Sequence, residues 1–209
     1  LDGQIGVNIL PDGMKGNGYL NAMYPYLFLY LGAFLRICRV SIALSYKSII
    51  FAATLGSAVC AYYAVKSITD SRRSIILAVV LYTLMPYRFT NIFSRGDLGE
   101  TLALTFWPLV IAGLYHVTIG NRKKWYLLVL GVSGILQSHI LSAAFAVVLC
   151  ILTALLYCVQ IWKEKRYVEI GKAAGLTLLL NAWYVVPFCY YYFAEDIMKD
   201  VLRWSGYFE

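Results

Sequence analysis

Charge is what this chain has least of. Asp, Glu, Lys and Arg make up 14% of its 209 residues, where a soluble domain carries about 25%. That supply cannot clothe a water-facing surface, so a soluble globular domain is excluded. Histidine occurs twice, and the five cysteines (Cys38, Cys60, Cys150, Cys158, Cys189) form no CxxC pair. This inventory argues against a zinc centre. The cysteines all lie inside apolar runs and read as small packing or lipid-facing residues. Internal repeats, low-complexity tracts and the duplicated inverted halves of secondary transporters are missing as well.

Hydrophobic residues, by contrast, make up 61% of the chain, and the mean hydropathy is +0.68. Several apolar runs approach the roughly 20 residues that span a bilayer. The composition therefore predicts an all-α fold, a polytopic transmembrane helical bundle surrounded by membrane lipids. The net charge of +7 does not point to nucleic acid, because the basic residues fall in short clusters between apolar runs, as in cytoplasmic loops.

Residues 1–22 are rich in turn formers, including Asp12-Gly13 and Gly16-Asn17-Gly18, and read as an external loop. The chain begins inside this loop, so it is expected to be a piece of a longer protein. A helix over 23–40 opens at Tyr24-Pro25, proline being tolerated in a first turn. Six apolar runs follow, at about 44–68, 74–89, 98–119, 125–137, 140–162 and 172–193. Basic clusters (Lys66/Arg72/Arg73, Arg122/Lys123/Lys124 and Lys163/Lys165/Arg166/Lys172) come after the first, third and fifth runs. The positive-inside rule places them in the cytoplasm. Segment 88–99, the Gln137-Ser138-His139 corner and the tail 194–209 then fall together on the external side. The loop before residue 23 carries Asp2 and Asp12 against a single Lys15, the wrong bias for the cytoplasm. Helix 23–40 is therefore expected to lie in the outer interface, with a full crossing as the open alternative.

Two of the runs are short for a membrane. Run 125–137 reaches only about 20 Å as a helix, and Pro86 interrupts run 74–89. Shortened spans end against protein or a wet cavity, and both of these shortened ends are external, which predicts an outward-facing cavity between the two corners. Stretch 86–100 carries Arg88, Arg95, Asp97 and Glu100 between apolar runs. Polar interruptions in such sequence are costly and mark candidate sites. Asp97 suits the N-cap of the following helix, and the i, i+3 spacing sets Asp97 and Glu100 on one face. Glu100 is placed for general-base work toward an acceptor hydroxyl. Arg88 and Arg95 form either a two-point phosphate clamp or a pair of snorkelling cations. His139 needs a partner at its depth, which the acidic pair would supply. Lys47 either reaches the same cavity or snorkels, and His116 is expected near the cytoplasmic interface. Gly113, Gly131, Gly134 and Gly175 read as close-packing positions, and Asn181 stands out as a mid-span amide.

Several motifs carry a resemblance. They are Tyr24-Pro25-Tyr26-Leu27-Phe28-Leu29-Tyr30-Leu31, Tyr46-Lys47, Leu81-Tyr82-Thr83-Leu84-Met85-Pro86-Tyr87-Arg88, Arg95-Gly96-Asp97-Leu98-Gly99-Glu100, Trp107-Pro108-Leu109 and Ser138-His139-Ile140-Leu141-Ser142. Together they resemble a bacterial family of polytopic membrane proteins labelled "6-pyruvoyl-tetrahydropterin synthase-related", relatives of the YfhO-type proteins. That family is similar to the GT-C superfamily of glycosyltransferases, which use polyprenyl-phosphate-linked sugars at the outer membrane face. The resemblance implies a GT-C-like bundle, a further span before Leu1, and a first external loop that bears an acidic catalytic residue. Family members often have Ala where this chain has Asp97, which makes Glu100 the stronger catalytic candidate of the pair. The soluble pterin synthase needs a three-histidine zinc site, so its activity is not expected here.

The leading expectation is a transferase that moves a sugar from a polyprenyl-phosphate donor to a cell-envelope acceptor. Glu100, Asp97 and His139 would handle protons or orient the acceptor, and Arg88, Arg95 and Lys47 would hold phosphate. No organic cofactor or metal is called for, though a divalent cation accompanying the phosphate stays open. A lipid-carrier flippase and a non-catalytic assembly subunit built on an ion-pair knot are the alternatives.

Overall fold

The computed structural model describes residues 24–194. Loop 1–22 and the tail beyond 194 lie outside the described residues, as do Asp2 and Asp12. Among the described residues every regular element is helical, as the composition predicts.

Helix α1 (Leu29–Ile37) has nine residues and none of them is buried. At helical rise it measures about 14 Å, less than half of a bilayer core, a length that suits the expected interfacial placement better than a full crossing. It ends where Arg39 takes a left-handed conformation (φ 63°), a conformation that normally falls to glycine. Helix α2 (Ile42–Ile68) starts at Ser41, whose side chain accepts from the Leu44 N–H at 3.3 Å. Its buried stripe (Ser45, Ile49, Ala53, Ser57, Ala61, Ala64) advances by three or four residues, which keeps it on one face. The stripe is mostly small, so neighbouring helices come close.

Helix α3 (Arg72–Thr83) is capped by Ser71. It gives way before Pro86 to the single turn α4 (Pro86–Phe89) and a π-helical turn, Thr90–Arg95, which closes on Gly96 at φ 64°. Helix α5 (Leu98–Ala103) and helix α6 (Trp107–Thr118) replace the one span expected over 98–119. Pro108 explains the break. It lacks the N–H that would bond the Leu104 carbonyl, and the Tyr82 hydroxyl donates to that carbonyl instead. Helix α7 (Tyr126–Leu136) is as short as expected. The run 140–162 is also two helices, α8 (Ile140–Leu156) and α9 (Cys158–Lys163), parted at Tyr157. Helix α10 (Tyr167–Ala194) closes the described chain and carries Pro187 inside it.

Helices α6 and α7 form the central hairpin. Their core of Val110, Leu114, Val117, Leu128, Val129 and Ile135 extends to Ala143 and Ala146 of α8 and Ala173 of α10. Large apolar side chains along α2, α3, α8 and α10 stay exposed, as lipid-facing surfaces must. By length and hydropathy Ile42–Ile68, Arg72–Arg95 and Tyr167–Tyr190 can each cross a membrane. Gly113 and Gly131 set the hairpin spacing. A Cβ at Gly131 would stand 2.6 Å from the Val110 nitrogen, and one at Gly113 would meet the Leu128 backbone. Gly175 departs from expectation, with nothing within 4 Å of its Cβ direction. It is not a close-packing position.

The end of the bundle that carries the basic clusters is tied by Arg166. Its Nη1 donates to the carbonyls of His116 (3.2 Å) and Gly120 (3.0 Å), Nη2 to that of Ile119 (3.4 Å), and Nε to Glu164 (2.7 Å). A guanidinium thus caps the C-terminus of α6, where a cation suits the helix dipole. His116, in the last turn of α6 beside the basic clusters, is enclosed, bonded to Ser67 Oγ (2.9 Å) and accepting the Asn121 N–H at Nδ1 (3.0 Å). Arg166→Ala is expected to lower the unfolding free energy by about 1.5–3 kcal/mol, the range for hydrogen bonds to a charged group. Arg166→Lys should recover only part of the loss, since one ammonium cannot reproduce the fork. Thermal unfolding of the purified variants reads both effects.

Candidate functional site

The corner opened by Pro86 positions the polar cluster. Proline at the first position of α4 starts the turn. The π turn then carries one stretch of backbone past the regular register, a local form that recurs at functional sites. Gly96 permits the left-handed exit, and Asp97 Oδ1 accepts the Glu100 N–H at 2.8 Å, the N-cap expected from the sequence.

Arg95 is the hub. Its Nη1 donates to Glu100 Oε2 (2.7 Å), Asn91 Oδ1 (2.9 Å) and the Tyr87 hydroxyl (3.3 Å), and its Nη2 stands 3.4 Å from Asp97 Oδ2. The Tyr87 hydroxyl donates to the second Glu100 oxygen. Both Glu100 oxygens are therefore occupied, and its side chain is 16% exposed against 48% for Arg95. About half of the Arg95 side chain remains exposed.

Beside this cluster lies a cavity of about 340 Å³, lined by Tyr24, Pro25, Phe28 and Leu29, by Gly96 to Gly99 with Leu102, and by Gln137 and Ser138. It lies between the two corners and the segment that leads into α1, where the shortened runs predict one. Gly99 is the close approach. A Cβ there would collide with the Tyr24 hydroxyl and come 3.1 Å from the Ser138 carbonyl oxygen. Burial, and then the Asp97 carboxylate, push the Tyr24 phenol above its ordinary pKa, so Tyr24 faces the cavity as a proton donor. Gly99→Ala is expected to displace Tyr24 and constrict the cavity. A ligand bound there should lose about 10-fold in affinity, roughly the effect of 1.4 kcal/mol, with the unfolding midpoint little changed.

Gln137 is held by an amide pair and keeps its own carbonyl enclosed. The Asn181 Nδ2 donates to the Thr177 carbonyl (2.7 Å) and to Ser133 Oγ (2.8 Å). A carbonyl only accepts, so the orientation of the Asn181 amide is set. Its Oδ1 then accepts from Gln137 Nε2 (2.8 Å), leaving Gln137 Oε1 buried and without a partner. The cavity wall thus offers the Asp97 carboxylate as an acceptor, while the Gln137 carbonyl is enclosed behind it.

The remaining candidates are placed elsewhere. Arg88 and Arg95 do not share a surface: Arg88 is 1% exposed and turned inward, its Nη2 on Ser57 Oγ at 2.5 Å. It is neither snorkelling nor half of an open clamp. His139 does not meet the acidic pair. It caps α8, its Nδ1 accepting from the Ser142 N–H (3.4 Å) and standing 2.9 Å from Ser142 Oγ, with Tyr24 edge-on at 6.3 Å between ring centroids. Lys47 is exposed in the second turn of α2 and outside the cavity lining. Sequence reasoning missed Tyr87 and Asn91, although the i, i+4 spacing of Asn91 to Arg95 was available as a signal. Among the described residues no group of three or more His, Cys, Asp or Glu side chains stands close enough to hold a metal ion.

A family model described as a 6-pyruvoyl-tetrahydropterin synthase related domain, a membrane protein, matches residues 22–203. No curated protein and no solved structure matches the chain significantly.

Proposed function

This chain belongs to the 6-pyruvoyl-tetrahydropterin synthase related family of membrane proteins, and on that premise we propose that its cavity serves glycosyl transfer from a polyprenyl-phosphate sugar to a cell-envelope acceptor. The observation that carries the reading is the make-up of the cavity wall. The Asp97 carboxylate and the Tyr24 hydroxyl in that wall suit a hydroxyl-rich ligand, and the half-exposed Arg95 side chain near them suits its phosphate. The basic clusters gather at the opposite end of the bundle, and this supports setting the cavity on the external face of a bacterial plasma membrane.

In the proposed step the acceptor oxygen forms a bond to the anomeric carbon as the bond from that carbon to the phosphate oxygen breaks. The acceptor's proton passes to the Asp97–Glu100 carboxylate pair, and the leaving polyprenyl phosphate keeps the electron pair, stabilised by Arg95. Glu100 also fixes Arg95 and Tyr87. Arg88 is enclosed and takes no part in phosphate binding.

The full-length purified protein should bind a polyprenyl-phosphate sugar and release polyprenyl phosphate when an acceptor is supplied. Arg95→Ala should weaken binding at least about 10-fold, as expected on losing a charge-assisted hydrogen bond. Equal binding by both proteins, with no turnover by either, would refute the reading. One observation favours a second reading, a non-catalytic assembly subunit. Arg95 is bonded to both carboxylates at once, as a structural knot would be.

A further inference from the structure

Arg88 presents a charge without a counter-charge. It is 1% exposed, and among the described residues no carboxylate is bonded to it. Nη2 donates to Ser57 Oγ, while Nε and Nη1 have no acceptor. Asn91, three residues on and fully enclosed, gives its Oδ1 to Arg95 and leaves Nδ2 without an acceptor. The surrounding hydroxyls direct their protons elsewhere and can only accept from Arg88, so none of them supplies a counter-charge. Ser57 and Thr105 both donate to the Ala53 carbonyl (2.8 and 3.1 Å), and the Tyr82 hydroxyl donates to Leu104. The Tyr82 ring, 6.0 Å from the guanidinium carbon, is the other neighbour.

Three buried donors without an acceptor, two of them on a cation that no carboxylate balances among the described residues, make a site for an anion. A water molecule would satisfy donors but leave the charge, and an unpaired buried charge is strongly destabilising. We propose that Arg88 and Asn91 hold a small monoanion, with chloride as the physiological occupant. One negative charge balances the guanidinium. Both residues are enclosed (1% and 0% exposed) and neither lines the 340 Å³ cavity, which suits a small ion rather than a lipid headgroup. The ion braces the corner that presents Arg95 and Glu100, because Arg88 ties α4 to Ser57 of α2. The proposal is independent of the sugar-transfer reading and survives its failure.

The test is thermal unfolding of the full-length protein in nanodiscs of zwitterionic lipid, in sodium chloride, bromide, gluconate and phosphate at equal ionic strength. Chloride and bromide should raise the midpoint saturably, and gluconate and phosphate should not. Arg88→Met should abolish the halide dependence and, having no charge to balance, be at least as stable as the wild type in gluconate. Asn91→Leu should weaken the half-saturating halide concentration about 10-fold, as expected for one lost hydrogen bond to an ion. If Arg88→Met cannot be purified, the Asn91→Leu shift decides. The proposal is overturned by equal wild-type midpoints in halide and gluconate, by phosphate acting as well as halide, by halide dependence that persists in Arg88→Met, or by Asn91→Leu leaving the half-saturation unchanged.

Discussion

Gly131→Ala and Gly113→Ala are each expected to lower the unfolding free energy by about 1–3 kcal/mol, the usual cost of overpacking a well-filled interface. At both positions the new Cβ meets backbone rather than the flexible end of a side chain, 2.6 Å from the Val110 nitrogen in the case of Gly131. The hairpin can relieve that overlap only by moving α6 and α7 apart, and the central core lies between them. Gly175→Ala is the control. Nothing stands within 4 Å of its Cβ direction, so the helix should gain up to about 1 kcal/mol from the better helix former. Thermal unfolding of the three variants in one lipid environment should shift the first two midpoints down and the third up. A uniform shift in either direction would mean that the α6–α7 spacing is not what these glycines set.

Glu100→Gln is expected to reduce glycosyl transfer by about 10²–10⁴-fold, the usual contribution of a positioned acid or base. The protein should remain folded, because the Arg95–Glu100 pair is partly exposed (48% and 16%) and solvent-screened pairs contribute little to stability. The amide keeps the acceptor that Tyr87 uses but removes the charge that holds Arg95. Turnover by the purified variant, compared at equal folded concentration, separates the two readings. Lost turnover with normal yield favours chemistry, whereas loss of the folded protein favours the structural knot.

Much of the architecture could be read from the chain, for physical reasons that differ by element. The scarcity of charge and the length of the apolar runs announced a helical membrane bundle, because only helices and closed barrels satisfy backbone groups in lipid. The Asp97 cap is a local interaction over three residues, visible in sequence because it depends on little else. The cavity between the Gly96 and Gln137 corners followed from two runs too short to cross. Other features depend on contacts between distant residues. That Arg88 turns inward depends on Ser57, 31 positions earlier, which no local pattern announces. The same holds for the Gln137–Asn181 amide pair, which links α7 to α10. Hydropathy alone joined α5 to α6 and α8 to α9, because an averaged apolar run does not register a break of a few residues. Pro108 was the local signal for the first of these. Gly175 illustrates the converse, since a glycine in an apolar helix looks the same whether or not a neighbour approaches.

The most direct measurement is a structure of the full-length protein in lipid with a polyprenyl-phosphate sugar bound. Density for the sugar should lie between Tyr24, Asp97, Gly99 and Gln137, with the phosphate within hydrogen-bonding distance of Arg95. Density at the opposite end, beside Lys124 and Arg166, or an empty cavity at saturating ligand, would contradict it.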